Sequence, residues 1–102
     1  MGQNRIRAVV LYVDHFGNMQ LNLKREHLEE AGVLPGVTVE LELAFDRYYA
    51  TAARTFADAR PGDIILYEDS YGNIAIAING GSAAALFGAG PEAEVRIHLR
   101  TP

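Results

Sequence analysis

Residues 37–43, VTVELEL, alternate apolar side chains with polar or acidic ones over their whole length. This period of two predicts a β-strand that turns one face to a protein core and the other to solvent. Its core face would hold Val37, Val39, Leu41 and Leu43. A single strand is not stable alone, so the rest of the chain is expected to supply partner strands.

Strand-like segments recur on both sides of residues 37–43. The nearly continuous apolar run at 6–13 predicts a strand that is covered on both faces or lies in a closed barrel. Turn residues separate it from further segments with the composition or alternation of strands, at 19–23, 47–55, 64–67, 74–78 and 94–99. Seven such segments predict an all-β fold, a barrel or a sandwich.

Two short helices are expected between the strands. Residues 22–31 fit a helix capped by Asn22, with a glutamate placed for a reciprocal contact and Gly32 as its end. Ser82 can cap a single helical turn over 83–87. At 102 residues the chain is expected to form one domain, and we identify no internal repeat, low-complexity tract or linker.

Charge and composition exclude several classes of function. Nine Lys and Arg against thirteen Asp and Glu give a net charge of −4, and the basic residues are scattered, so neither nucleic acid nor an anionic membrane is an expected partner. No apolar stretch has the length of a signal or membrane segment. The absence of cysteine favours a reducing compartment, and we expect the cytoplasm. Three dispersed histidines, His15, His27 and His98, predict no metal site.

Aromatic residues stand in turns where polar residues would suffice. Residues 14–18 (DHFGN), 55–58 (TFAD) and 69–73 (DSYGN) show this composition. An aromatic ring beside an Asn amide and exposed backbone suits the recognition of a flat heterocycle, because the ring stacks while the amide reads the polar edge. The alternative is that Phe16 and Phe56 close the ends of a barrel.

Three ordered blocks of sequence carry a family resemblance. They are YVDHFGNMQLNL at 12–23, RTFAD at 54–58 followed by PGD at 61–63, and DSYGNIAIAINGGSAA at 69–84. Together they resemble the C-terminal domain of the S-adenosylmethionine hydroxide adenosyltransferases, relatives of the fluorinating and chlorinating enzymes. The resemblance implies a seven-stranded Greek-key barrel that normally follows an N-terminal α/β domain, which residues 1–102 are expected to lack.

The resemblance also implies a reaction. Members of the family displace methionine from the 5′ carbon of S-adenosylmethionine, with water, hydroxide or a halide as the nucleophile. The reacting groups lie in the N-terminal domain, so this chain is expected to hold no catalytic residue and to be inactive by itself. No cofactor is expected beside S-adenosylmethionine as substrate. Expected partners are that ligand or adenosine, further copies of the chain, as in the family's trimer, or a separate N-terminal domain.

Site residues follow from the same resemblance. Asn18 and the backbone of Asn79 and Gly80 correspond to groups that read the edge of adenine. Phe56 corresponds to an aromatic residue that packs near the base, and Phe16 flanks the same pocket.

The methionine end would be held by Asp14 and Ser70, a carboxylate for the ammonium and a hydroxyl for the carboxylate. Family members commonly have an arginine after that serine, whereas this chain has Tyr71, and Ile78 likewise offers no charge. An alternative function therefore stays open, a non-catalytic interaction or regulatory barrel that has lost this chemistry.

Overall fold

The computed structural model describes residues 5–43, 46–54 and 60–99. In this part of the chain it contains seven strands and two short helices, which confirms the predicted all-β class. The strands are β1 (Arg5–Val13), β2 (Met19–Lys24), β3 (Thr38–Leu43), β4 (Asp46–Ala52), β5 (Ile64–Glu68), β6 (Asn73–Ile78) and β7 (Glu94–His98). The helices are α1 (Arg25–Glu30) and α2 (Ala83–Phe87).

The strands close into a barrel in the order β1-β2-β6-β5-β4-β3-β7, and β7 pairs with β1. Neighbouring strands run antiparallel except β4 and β5, which are parallel. Around the barrel β2 is followed by β6 and β3 by β7, the jumps that Greek-key connections make. This order places the hairpins β1–β2 and β5–β6 side by side.

The core fills the inside of the barrel with the apolar residues of each strand. Leu41, Ile76 and Ile97 are completely shielded from solvent. The alternation predicted for β3 is confirmed, because Val39 and Leu41 are buried while the intervening glutamates face outward. In β6, Ile74 and Ile76 belong to the core cluster and Ile78 packs against it. The intervening Ala75 and Ala77 lie outside this cluster and are also completely shielded from solvent.

The first helix begins later than expected. Asn22 does not cap it but stays in β2, because its Oδ1 accepts the backbone N–H of Val9 across the sheet at 2.8 Å. Lys24 occupies the cap position, and its N–H donates to Nδ1 of His27 at 3.0 Å. A histidine thus makes the reciprocal contact that was expected of a glutamate.

The second helix begins as predicted. The Ser82 hydroxyl accepts the backbone N–H of Ala85 at 3.1 Å, so the cap is confirmed.

Charged residues cover the outer face of β7, β3 and β4. Glu42 accepts from Nε2 of His98 at 2.7 Å and lies 3.6 Å from Arg47 and 3.7 Å from Arg96. We call these four residues the Glu42 network. The bond from His98, with the two guanidinium groups, outweighs burial and lowers the pKa of Glu42. The candidate site lies elsewhere on the barrel, over β1, β2, β6 and β5.

Candidate functional site

A row of four residues crosses the outer face of β1, β2, β6 and β5. Tyr12 pairs with Gln20, Gln20 with Ala75, and Ala75 with Tyr67. Because paired residues point to the same side of a sheet, two tyrosines stand at the ends of this row, with a small alanine between them. Three residues of the row, Tyr12, Gln20 and Tyr67, line an open cleft, and Ala75 is completely shielded from solvent between them.

The turn between β1 and β2 is organised by the carboxylate of Asp14. Its Oδ1 accepts the N–H groups of Phe16 at 2.9 Å and Asn18 at 3.0 Å, and its Oδ2 accepts from Nδ2 of Asn18 at 3.1 Å. Nε2 of Gln20 reaches the same Oδ2 at 3.3 Å. With the Gln20 amide turned over, its nitrogen donates instead to the carbonyls of Asn18 and Tyr12, so either orientation ties Gln20 to this turn.

These bonds set the ionisation of Asp14. Burial raises the pKa of its carboxyl, but the donors from Asn18, Phe16 and Gln20 together outweigh it and hold the pKa below the ordinary value. Asp14 is therefore a carboxylate at neutral pH. Its first role is to hold the turn, since both of its oxygens already accept hydrogen bonds.

The turn between β5 and β6 repeats the same pattern around Asp69. Its Oδ1 accepts the N–H groups of Tyr71 at 2.9 Å and Asn73 at 2.9 Å, and its carbonyl accepts that of Gly72 at 3.1 Å. The equivalent bonds at Asp14 are 2.9, 3.0 and 3.0 Å.

The sequence of this turn also repeats. YVDHFGN at 12–18 and YEDSYGN at 67–73 share Tyr, Asp, Gly and Asn at the same positions and have an aromatic residue before the glycine. Our expectation of no internal repeat is therefore wrong at this scale. The repeat lies in two hairpins that the barrel places next to each other. We call residues 14–18 the first turn and 69–73 the second turn.

Residues of the second turn, Asp14 of the first turn and three residues of the row line an open cleft of about 610 Å³, which we call the two-turn cleft. It is lined by Tyr12, Asp14, Gln20, Tyr67, Asp69, Ser70, Tyr71 and Asn73.

Two tyrosines of the cleft, Tyr12 and Tyr67, stay protonated at neutral pH. Burial, followed by the negative charges of Asp69 and Asp14, raises the pKa of Tyr12, and the same causes raise the pKa of Tyr67. The cleft therefore presents phenol groups beside two carboxylates, an arrangement that favours ligand groups with donor hydrogens or positive charge.

The first turn is docked on the start of α2. The backbone N–H of Ala84 donates to the carbonyl of Gly17 at 2.9 Å, and a Cβ at Gly17 would collide with the Ser82 hydroxyl. Gly17 also has a φ of +85°. This contact fixes the turn, with the Asn18 side chain buried and the Phe16 ring 74% exposed.

The backbone N–H and carbonyl of Asn79 already take part in hydrogen bonds to the segment before β5. Its N–H donates to the carbonyl of Asp63 at 3.1 Å, and its carbonyl accepts from Gly62 at 2.8 Å. Gly80 follows in an exposed turn with a φ of +85°. Of these two predicted backbone contacts, Gly80 is the one placed at the surface.

The structure thus brings together part of the predicted site. Asp14, Ser70 and Tyr71 line one cleft, and Asn18 joins it through hydrogen bonds to Asp14 and, at 3.4 Å, to the Tyr67 hydroxyl. Phe56 lies outside the described residues. The roles of all these residues stay predictions.

Sequence reasoning missed Tyr12, Gln20, Tyr67, Asp69 and Asn73. Four of them belong to the repeated seven-residue pattern, which is visible in the sequence. Gln20 had no such signal, because its place in the cleft depends on the pairing of β2 with β6.

A second open cleft, of about 530 Å³, lies between α2 and β7, and none of its described lining residues is a predicted site residue. Within the described ranges, no cluster of His, Asp or Glu is arranged to hold a metal ion. Neither helix in this part of the chain has the length and apolar character that crossing a membrane would require.

Comparison with solved structures supports this architecture. The chain superposes on an uncharacterized conserved protein from Thermotoga maritima with a TM-score of 0.90 and 25% identity, covering 98% of this chain and 38% of that one. A conserved hypothetical protein from Thermus thermophilus matches with a TM-score of 0.68 and 27% identity, over 93% of this chain and 36% of that one.

Two curated relatives are similar in sequence to most of this chain. The chain is 41% identical over 90 residues to an (R)-S-adenosyl-L-methionine hydrolase from Salinispora tropica, covering 88% of this chain and 31% of the relative. It is 36% identical over 84 residues to a fluorinase from Actinopolyspora mzabensis, covering 78% of this chain and 27% of the relative. The chain thus spans about a third of the length of these relatives.

The family model for the SAM hydroxide adenosyltransferase C-terminal domain matches residues 8–96. This range contains both turns and all seven strands, except for the first three residues of β1 and the last two of β7. The chain therefore belongs to the SAM hydroxide adenosyltransferase C-terminal domain family.

Proposed function

We propose that the chain is the S-adenosylmethionine-binding barrel of a SAM hydroxide adenosyltransferase and that the ligand lies along the two-turn cleft. The observation that carries this proposal is the convergence of Asp14, Ser70 and Tyr71 on one cleft, beside the docked first turn that carries Phe16. The 41% identity to an (R)-S-adenosyl-L-methionine hydrolase supports the choice of ligand.

The base of the ligand is assigned outside the cleft lining, beside the contact between the first turn and the start of α2. Phe16 offers an exposed ring for stacking, and Gly80 offers backbone without a side chain in the way. Nδ2 of Asn18 is engaged by Asp14 and Tyr67, so its Oδ1 is the atom we assign to the amino group of adenine. Phe56 and the backbone of Asn79 remain part of this proposed adenine site.

The amino-acid end is assigned to the second turn. Ser70 is exposed and can donate its hydroxyl to a carboxylate, while Asp14 contributes negative charge near the ammonium. Tyr71 is 76% exposed and supplies a phenol at a position where family members commonly have an arginine. We therefore expect the chain to hold the amino-acid end more weakly than those relatives do.

We further propose that the displacement at the 5′ carbon needs residues beyond these 102. None of the described cleft residues matches a water-activating acid or base of the family. The barrel would work with an N-terminal domain, in its own polypeptide or another, within a homo-oligomer in the cytoplasm. The isolated chain would then bind the ligand without hydrolysing it, and no cofactor takes part.

Affinity measurements on the chain test this proposal. Adenosine and S-adenosylmethionine are titrated into ¹⁵N-labelled wild type, Asn18→Ala and Ser70→Ala, and amide chemical shifts report binding. Both variants keep Ser82, which caps α2. We expect saturable binding of both ligands in the millimolar range, weakened about tenfold for both by Asn18→Ala. Ser70→Ala should weaken S-adenosylmethionine alone. If wild type shifts with neither ligand up to their solubility, the proposal is wrong.

A non-catalytic interaction or regulatory barrel is the second candidate. Tyr71 and Ile78 favour it, because each stands where a charged contact to the amino-acid end would be useful. This candidate predicts folded chain without any response to either ligand, the outcome that contradicts the first proposal.

A further inference from the structure

The first and second turns differ at one oxygen of the carboxylate that organises each. At Asp14, Oδ2 accepts from the Asn18 side chain at 3.1 Å in either orientation of Gln20. At Asp69, Oδ2 is shielded from solvent and has no hydrogen-bond partner among the residues that the structure describes. A buried carboxylate oxygen without a donor lowers the stability of the fold. Its presence in only one of two otherwise similar turns therefore needs an explanation.

The difference follows from the residues next to each turn. Gln20 and Ala75 are paired across β2 and β6, and each lies two residues after the asparagine of its own turn. On the first side Gln20 offers an amide, and on the second side Ala75 offers no donor. The side chain of Asn73, unlike that of Asn18, gives no hydrogen bond to Oδ2 of its aspartate. Asp69 therefore keeps an acceptor that Asp14 has already used.

The lining residues of the two-turn cleft within the described part of the chain carry negative charge and no positive charge. Asp14 and Asp69 are the charged groups, and the other lining groups are phenols, amides and the Ser70 hydroxyl. The phenols of Tyr12 and Tyr67 add aromatic surface, which attracts cations. A carboxylate on a ligand would meet neutral hydroxyl and amide donors but no cation among these residues, whereas an ammonium would meet an unused carboxylate oxygen.

We propose that Asp69 binds the ammonium of the ligand directly while Asp14 only adds negative charge nearby, and that the cleft favours adenosyl ligands whose far end is cationic without a carboxylate. This inference rests on the proposed function. Access to Oδ2 requires a side chain of the cleft rim to move, and the exposed side chains of Ser70 and Tyr71 in the same turn can do so at low cost. The chemical class selected is a 5′-sulfonium nucleoside with an aminoalkyl chain.

The test compares three ligands by NMR titration: adenosine, S-adenosylmethionine and decarboxylated S-adenosylmethionine. Wild type should bind the decarboxylated ligand several-fold more tightly than S-adenosylmethionine, because the carboxylate finds no cation in the cleft. This comparison needs no variant. Equal affinities, or tighter binding of S-adenosylmethionine, would overturn the preference.

The role of Asp69 is tested with Asp69→Asn, whose Oδ1 can still accept the N–H groups of Tyr71 and Asn73. We expect both amine-bearing ligands to bind at least about tenfold more weakly, with adenosine unchanged. Asp46→Asn removes an equal charge from an exposed position at the start of β4 and should change none of the affinities. Equal loss for adenosine would make Asp69 a structural residue only, and no loss for any ligand would refute its role.

The two proposals fail in different ways. Wild type that does not bind adenosine contradicts the proposed function and this inference with it. Wild type that binds adenosine, with amine-bearing ligands indifferent to Asp69→Asn, contradicts the inference alone.

Discussion

Gln20 on β2 pairs with Ala75 on β6. On the neighbouring strands, Tyr12 pairs with Gln20 and Tyr67 pairs with Ala75. The pair marks the centre of a local two-fold arrangement, in which each half carries the same Tyr-x-Asp-x-aromatic-Gly-Asn sequence. One half is saturated with internal hydrogen bonds and the other keeps an unused acceptor. Near-identical hairpins thereby give the cleft two different ends.

Gly17→Ala tests the docking of the first turn on α2. The change forces a side chain into a left-handed conformation and against Ser82, so it should lower the free energy of unfolding by about 2–4 kcal/mol. Urea denaturation measures it. Gly36→Ala is the matched control, since Gly36 has a φ of +97° and nothing lies within 4 Å of the position that a Cβ would take, and it should cost about 1–2 kcal/mol.

A second substitution separates collision from backbone strain. Adding Ser82→Gly to Gly17→Ala removes the colliding hydroxyl and should recover part of the loss. If Gly17→Ala costs no more than Gly36→Ala, the two segments are not in contact as described.

Asp14→Asn tests the ionised carboxylate of the first turn. Because the folded pKa lies below the ordinary value of 3.8, Asp14 stabilises the fold above that pH, and this contribution is lost as the pH falls through the lowered pKa. The variant should lose roughly 1 kcal/mol at neutral pH, a figure reduced for solvent screening, and should depend less on pH in acid. Chemical denaturation at neutral pH and in acid measures both, with Asp46→Asn as control. Unchanged acid sensitivity would contradict this role.

Glu42→Gln tests the Glu42 network. The pKa of Glu42 is lowered chiefly by the bond from His98, so the network should stabilise the barrel above the ordinary glutamate value of 4.5 and lose that effect as the pH falls below it. We expect the variant to melt at a lower temperature than wild type at neutral pH, with the gap narrowing in acid and in high salt. Calorimetry across pH and salt measures it. A difference in melting temperature that does not change with salt would indicate that Glu42 stabilises the barrel by packing and not by charge.

Elements with strong local patterns could be predicted from the sequence, and those governed by distant partners could not. The alternation at β3 and the serine cap of α2 needed neighbours within a few residues. The start of α1 was misplaced because Asn22 bonds to Val9, thirteen residues earlier, which no local rule reveals.

The candidate site shows the same limit. Both turns were visible in the sequence, as was the repeat between them. Their convergence depends on β2 pairing with β6, a contact between segments far apart in the chain. Oδ2 of Asp69 stays unused in part because Ala75 offers no donor. The contrast between Ala75 and its partner Gln20 could not be recognised before the pairing of β2 with β6 was known.

Tyr71→Arg tests the assignment of the amino-acid end to the second turn. A guanidinium at this exposed position gives the ligand's carboxylate a charged, bidentate donor, so S-adenosylmethionine should bind about tenfold more tightly, with adenosine nearly unchanged. NMR titration provides the affinities. Tyr49→Arg, at a tyrosine 61% exposed on β4, is the control for added charge and should have little effect. Equal gains from both variants would indicate non-specific attraction.

The position and direction of the bound ligand test the central claim most directly. We would measure intermolecular NOEs between S-adenosylmethionine and the assigned wild-type chain. We expect contacts from the adenine protons to Phe16 and Gly80, and from the methionyl protons to Tyr12, Tyr67 and Tyr71. Contacts confined to the Glu42 network or to the cleft between α2 and β7, or a reversed ligand, would contradict it.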